Sequence, residues 1–192
     1  MGPLRAFIAI ETPPGIQQAI AEATAELRRA VGSLVRWVPV QNMHLTLKFL
    51  GDVAPSKVDT LSQMLRTEVE VVPCFDMHLG VVGVFPSHKR PRVIYIGIQA
   101  PAALEALQRG IESAAGRLGY ESEERGFSPH LTIGRVKQGL TAAEQQLIRR
   151  TLEDTTIDSP GTARVDSVHL YKSDLKPGGS VYTRLYSAAL KK

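Results

Sequence analysis

The sequence predicts an α+β protein of two pseudo-symmetric lobes, each a mostly antiparallel sheet with outer helices and a cleft between them. Two observations carry this expectation. Strand-like runs alternate with amphipathic helix patterns along all 192 residues, with no long linker or low-complexity tract. A short phrase also occurs twice, as His44-Leu45-Thr46-Leu47 and His130-Leu131-Thr132-Ile133, with the copies close to half a chain length apart. Each copy sits in a strand-like run, and both halves contain strand–helix–strand units. The chain therefore reads as a single bilobal domain over 1–192, an internal duplication with one motif per lobe. Hairpin-like steps between strands favour antiparallel sheets over a doubly wound parallel one.

The elements follow from local pattern. Arg5 to Ile10 reads as a strand, stopped by Thr12-Pro13-Pro14-Gly15. Ile16, Ile20, Ala23, Leu27 and Val31 recur at helical spacing, with Pro14 suited to the first turn and Gly32 to the end. A short strand around Arg36-Trp37-Val38 leads through Pro39 to the first motif strand, Met43 to Leu50. A second helix begins near Pro55-Ser56 and carries Val58, Leu61, Leu65 and Val69 on one face. Strands are expected over Phe75 to Phe85 and Arg92 to Ile98, joined by Pro86-Ser87-His88-Lys89-Arg90-Pro91. Leu104, Leu107, Ile111, Ala115 and Leu118 mark a third helix ending at Gly119. The second motif strand, His130 to Val136, precedes a fourth helix near Ala142 to Leu152 and strands over Arg164 to Tyr171 and Val181 to Ala188.

Hydrophobic residues make up 43% and charged residues 22%, as in an ordinary globular chain. The single Cys74 excludes an internal disulfide and disfavours a cysteine-based zinc site. The N-terminal apolar run is interrupted at once by Glu11 and Pro13, so no signal peptide is expected, and no run approaches the ~20 apolar residues of a membrane span. The expected setting is the cytoplasm, with no membrane partner and a monomeric state. A net charge of +4 is compatible with a polyanionic partner.

Side chains of a strand alternate between faces, so His44 and Thr46 point one way while Leu45, Leu47 and Phe49 point the other. The second copy splits identically. An imidazole titrates near pH 6.5, so of two opposed rings one can hold a proton while the other lacks it. Such a pair suits metal-free phosphodiester hydrolysis: one ring takes a proton from the attacking water and the other gives one to the departing ribose oxygen. A threonine two residues on, ~6–7 Å along the same face, can donate to a phosphate oxygen. A solitary histidine in a strand is ordinarily structural, and His78, His88 and His169 are read so.

Met43-His44-Leu45-Thr46-Leu47-Lys48-Phe49-Leu50-Gly51 and Phe127-Ser128-Pro129-His130-Leu131-Thr132-Ile133-Gly134-Arg135 resemble the paired signatures of the two-histidine phosphoesterase superfamily. Within it the chain is most similar to the RNA 2′,3′-cyclic phosphodiesterases, also called 2′-5′ RNA ligases. Arg5 to Ile10, Val35-Arg36-Trp37-Val38, Phe85-Pro86-Ser87 with Arg90-Pro91-Arg92-Val93, and Ser173-Asp174-Leu175 with Gly178 and Tyr182 extend the likeness over nearly the whole chain. Gly134 departs slightly from the family, which more often has another small residue there. The resemblance implies a hydrolase that needs neither metal nor cofactor and opens a 2′,3′-cyclic phosphate at an RNA 3′ end, leaving a 2′-phosphate. It implies His44 as proton donor, His130 as proton acceptor, and Thr46 and Thr132 as phosphate-holding residues. It also implies a reverse reaction that joins RNA ends through a 2′-5′ bond.

Further candidates come from position. Lys48 shares the face of His44 under regular alternation and is a phosphate contact on that reading. Arg135 falls opposite His130 and reaches phosphate only where the strand twists or ends. Phe7, Trp37, Phe127 and Tyr182 are candidates for stacking on a base, and His88, Lys89 and Arg90 for a basic lip. Alternative readings are a small-nucleotide cyclic phosphodiesterase, acting for example on ADP-ribose 1″,2″-cyclic phosphate, a metal-dependent phosphoesterase, and a non-catalytic RNA-binding module.

Overall fold

The computed structural model describes residues 2–177 and 179–192; Met1 and Gly178, the latter part of the likeness above, lie outside the described residues. The strands are β1 (Leu4–Glu11), β2 (Val35–Trp37), β3 (His44–Val53), β4 (Phe75–Phe85), β5 (Val93–Gln99), β6 (His130–Val136), β7 (Thr162–Val165), β8 (Ser167–Lys176) and β9 (Gly179–Ala189). The helices are α1 (Pro14–Ala23), α2 (Ala25–Val31), α3 (Val58–Val69), α4 (Ala102–Arg117) and α5 (Ala142–Asp154). Among the described residues no helix is long and apolar enough to cross a membrane.

The sheet runs in the order β7-β4-β5-β6-β3-β1-β8-β9, with β2 also paired to β6. Every strand-to-strand pairing is antiparallel. One lobe is β7-β4-β5-β6 and the other β3-β1-β8-β9; the motif strands β3 and β6 meet where they join, through Leu45 opposite Leu131. The α+β, two-lobed expectation holds, and the two sheets are continuous at that seam.

One face of the sheet is apolar and covered by helices. Ile8 and Ile10 of β1, Leu45 and Leu47 of β3, Ile94 and Ile96 of β5, and Leu131 and Ile133 of β6 are buried there in one cluster with Ile20, Leu27, Leu61, Leu65, Leu104 and Ile111 of the helices. The other face carries the half-exposed residues of the same strands together with a small second cluster of Phe7, Ala9 and Tyr171.

Two local differences from the sequence pattern have clear causes. The helix expected over Ile16 to Val31 breaks at Thr24, whose hydroxyl donates to the Ile20 carbonyl at 2.7 Å and accepts from Arg28 Nε at 2.9 Å. A threonine bonding back into its own helix competes with the regular ladder and bends it. The strand expected over Arg164 to Tyr171 is two strands with a corner at Asp166, β7 pairing with β4 and β8 with β1. The sheet is curled so far that β7, at one end of the strand order, and β8, next to the other end, are one residue apart in the chain.

Gly134 has a packing reason. A Cβ there would lie 2.7 Å from Val35 Cγ1 and 2.9 Å from the Trp37 ring. Absence of that carbon lets β2 lay its apolar side chains over β6. Gly134→Val overfills this contact and costs roughly 1–3 kcal/mol, read as a lower urea midpoint; an unchanged midpoint would show that β2 yields freely.

Candidate active site

In an antiparallel ladder, Leu45 opposite Leu131 sets His44 beside Thr132 and Thr46 beside His130. All four residues share the helix-free face, and the two histidines are diagonal neighbours, a relation that spaces strand positions by about 7–8 Å. The sequence-derived pairs are thereby interleaved, each histidine beside the other motif's threonine.

The two imidazoles are held in the same way. His44 Nδ1–H donates to the Asn42 carbonyl at 2.8 Å, and His130 Nδ1–H donates to the Ser128 carbonyl at 2.7 Å. In both copies the acceptor is two residues upstream. A carbonyl can only accept, so each neutral ring carries its proton on Nδ1 and leaves Nε2 with a free lone pair. Asn42 is itself tied down, its amide donating to the Ser180 carbonyl at 3.0 Å.

Each ring also rests against aromatics. Phe7 stacks on His44 at 4.8 Å between centroids, and its other neighbour Tyr171 stacks at 5.4 Å. Tyr182 meets the His44 ring edge-on at 5.2 Å. Around His130, Phe85 and Tyr95 approach edge-on at 5.1 and 5.4 Å and stack on one another at 4.2 Å. A Cβ on Gly83 would fall 2.5 Å from the Tyr95 ring, so that ring occupies the space a side chain would take. Burial under Phe7 and its neighbours depresses the His44 pKa below the usual 6.5, an effect the Asn42 carbonyl opposes.

Strand alternation fails at the same place in both motifs. Across β1 and β3, Ile8 faces Lys48 and Ala9 faces Thr46, which makes Leu47 an extra, bulged residue. Across β5 and β6, Ile94 faces Gly134 and Tyr95 faces Thr132, which makes Ile133 the extra one. Each bulge lies three residues after the histidine and exchanges the faces of the residues that follow, in β3 as far as a second shift at Leu50.

The consequence for Lys48 is a correction. It turns to the helix side, where its ammonium is buried, pairs with Glu112 at 2.7 Å and donates to the Glu121 carbonyl. Phe49, expected on the apolar face, is 65% exposed and contacts Phe7. The same shift helps Arg135: it lies opposite Val93, two positions from Tyr95 on β5, and so joins the face of Thr132 and His130. Gly134 and Lys48 are equivalent positions, as are Arg135 and Phe49.

The aromatic candidates divide. Phe7 is only 4% exposed with neighbours on both faces, so it supports the His44 ring and offers no face to a base. Tyr182 is half-buried beside His44. Trp37 faces the helices, under the Arg28 guanidinium at 4.7 Å, and Phe127 packs against the main core. Neither is on the site's face. His88, Lys89 and Arg90 are exposed in the β4–β5 hairpin loop.

One group escaped the sequence reading. Glu11 lies opposite His44 on β1 and accepts hydrogen bonds from the Tyr171 hydroxyl and the Arg184 guanidinium. His169, set aside above as solitary, is buried beside them, with Nδ1 2.8 Å from Ser187 Oγ and Nε2 3.8 Å from Glu11. Burial would raise the Glu11 pKa, but the two hydrogen bonds outweigh it and hold the carboxylate below its usual range. Only tertiary pairing joins residues so far apart in the chain. Among the described residues no three His, Cys, Asp or Glu side chains are grouped as a metal site requires.

These features define a two-histidine, two-threonine site on an open sheet face, and comparison places the chain among known proteins. Residues 12–177 match the model of the 2′-5′ RNA ligase superfamily, and the chain belongs to that superfamily. The RNA 2′,3′-cyclic phosphodiesterase of Thermotoga maritima is 34% identical over 185 residues, covering 95% of this chain and 94% of the relative. That of Methanothermobacter thermautotrophicus is 31% identical over 180 residues, covering 94% and 95%. The crystal structure of E. coli LigT complexed with 3′-AMP superposes with a TM-score of 0.77 at 30% identity, covering 99% of both chains.

Lys48→Met leaves Glu112 without its ammonium in a partly buried setting, a loss worth about 3–5 kcal/mol. The expected result is a much lower denaturation midpoint with an unchanged KM at permissive temperature. A raised KM with normal stability would return Lys48 to the substrate.

Proposed function

We propose that this protein hydrolyses the 2′,3′-cyclic phosphate at RNA 3′ ends to a 2′-phosphate, by metal-independent acid–base catalysis. The observation that carries the reading is the matched pair of imidazoles, each fixed at Nδ1 by a carbonyl two residues upstream and each leaving Nε2 free beside the other motif's threonine. His130 takes a proton as water attacks phosphorus. His44 gives its proton to the 3′ oxygen as the bond from phosphorus to that oxygen breaks. Thr46 and Thr132 donate to the non-bridging oxygens, where charge accumulates, and Arg135 offsets that charge from the same face. Phe7 positions His44, and Tyr182 lines its flank. When the 5′ hydroxyl of a second RNA replaces water, the same base and acid in the same roles join the ends through a 2′-5′ bond as the bond from phosphorus to the 3′ oxygen breaks.

The names of the relatives support RNA as the substrate class. The paired bulges support descent of the two halves from one duplicated unit, and we read 1–192 as a single domain acting as a monomer in the cytoplasm.

The direct test is product analysis with an RNA ending in a 2′,3′-cyclic phosphate, in excess EDTA. His44→Ala or His130→Ala is expected to lower kcat by roughly 10²–10⁴-fold, with RNA binding kept. Loss of activity in EDTA, or full activity in either variant, overturns the mechanism. The pH dependence carries a sign as well. Burial depresses the pKa of free His44, so the free enzyme, reported by kcat/KM, loses this acid proton at a lower pH than an ordinary histidine would. A bound phosphate anion raises that pKa, so the alkaline limb of kcat lies higher. Coincident limbs would show that His44 is not the acid.

A further inference from the structure

Strand β2 puts Arg36 in a specific place. It lies directly opposite Arg135 in the β2–β6 ladder, between Val35 opposite Val136 and Trp37 opposite Gly134. Its neighbours fix its direction: Val35 is 3% exposed in the core, and Trp37 packs beneath Arg28. Alternation then sends Arg36 to the other face, where the bulge at Ile133 has also brought Arg135. Both arginines are exposed.

Two like charges directly opposite across strands are destabilising, and a carboxylate partner would ordinarily offset them. Among the described residues neither arginine has one. Some other exposed guanidiniums do: Arg164 pairs with Asp76 at 3.2 Å and Arg117 with Glu68 at 3.2 Å. A twin guanidinium held without a counter-charge suits an anion from outside, since arginine forks match phosphate oxygens. Along β6 the pair stands about two strand steps, ~7 Å, beyond Thr132, so it flanks the reacting phosphorus.

Resting on the function proposed above, we infer that Arg36, beside Arg135, binds a second phosphate of the substrate, the 5′-phosphodiester of the terminal nucleotide. Arg135 serves the reacting phosphate and Arg36 the next one along the strand. The groove thereby selects RNA ends over nucleoside cyclic phosphates that lack a 5′-phosphate.

The test compares a dinucleotide ending in a 2′,3′-cyclic phosphate with the matching nucleoside 2′,3′-cyclic phosphate. In Arg36→Ala the ratio of their kcat/KM values should fall about tenfold or more, the loss of one charge-assisted contact, and the change should lie in KM. Arg36→Lys, which keeps the charge without the fork, should fall between. The slope of log KM against log salt for the dinucleotide should shrink by about 0.7, one phosphate contact on a single strand. An unchanged ratio, or equal losses on both substrates, overturns the inference. A lowered thermal midpoint in Arg36→Ala also overturns it, because removing one of two facing cations should leave stability equal or higher. Binding without turnover separates the two readings. Fluorescence-detected titration with a dinucleotide bearing a 3′-phosphate should show the same loss in Arg36→Ala even if the protein hydrolyses nothing.

Discussion

One backbone pairing, Leu45 with Leu131, sets the geometry from which the rest follows. It seats both leucines in the core and fixes the register that brings four polar side chains together on the opposite face. A slip of one residue would send both histidines into the apolar layer beneath the sheet. Burial of Leu45 and Leu131, 1% and 0% exposed, therefore defends the site as firmly as any contact within it.

Around that pairing the protein spends little side-chain chemistry on orientation. Backbone carbonyls, which cannot titrate, choose the tautomer of each imidazole. Flat rings on β1 and β5 limit where the imidazoles can swing. The two rings are nevertheless unequal: His44 lies deep between Phe7 and Tyr182, with Glu11 next to it on β1, whereas His130 has Phe85 and Tyr95 edge-on at its sides. A repeated motif thus acquires two environments, the condition under which two identical groups can take different roles.

Much of this was legible in the sequence. The strands at 75–85 and 130–136, the face shared by His44 and Thr46, and the order of helices and strands follow from periodicity and from Gly and Pro punctuation. The bulges were not legible, because Leu47 and Ile133 look like ordinary strand residues and only the partner strand reveals the extra one. From that single omission came the misplacement of Lys48 and Phe49 and the doubt over Arg135. The corner at Asp166 was hidden likewise, since β7 and β8 together read as one apolar alternation. His169 looked solitary because Glu11, Tyr171 and Arg184 reach it only through the sheet. Trp37 looked like a stacking residue because composition does not say which face of a three-residue strand meets a helix.

The curl of the sheet has a mechanical consequence. The chain leaves one lobe at β1, pairs with the other at β2, returns at β3, leaves again for β4 and comes back at β8, while Pro73 ahead of β4 bridges Lys191 beyond β9. Such lacing sews the halves together at both margins and opposes their parting like a jaw. The spacing across the open face is thus laid down as the polypeptide folds, and a guest settles onto a surface already shaped.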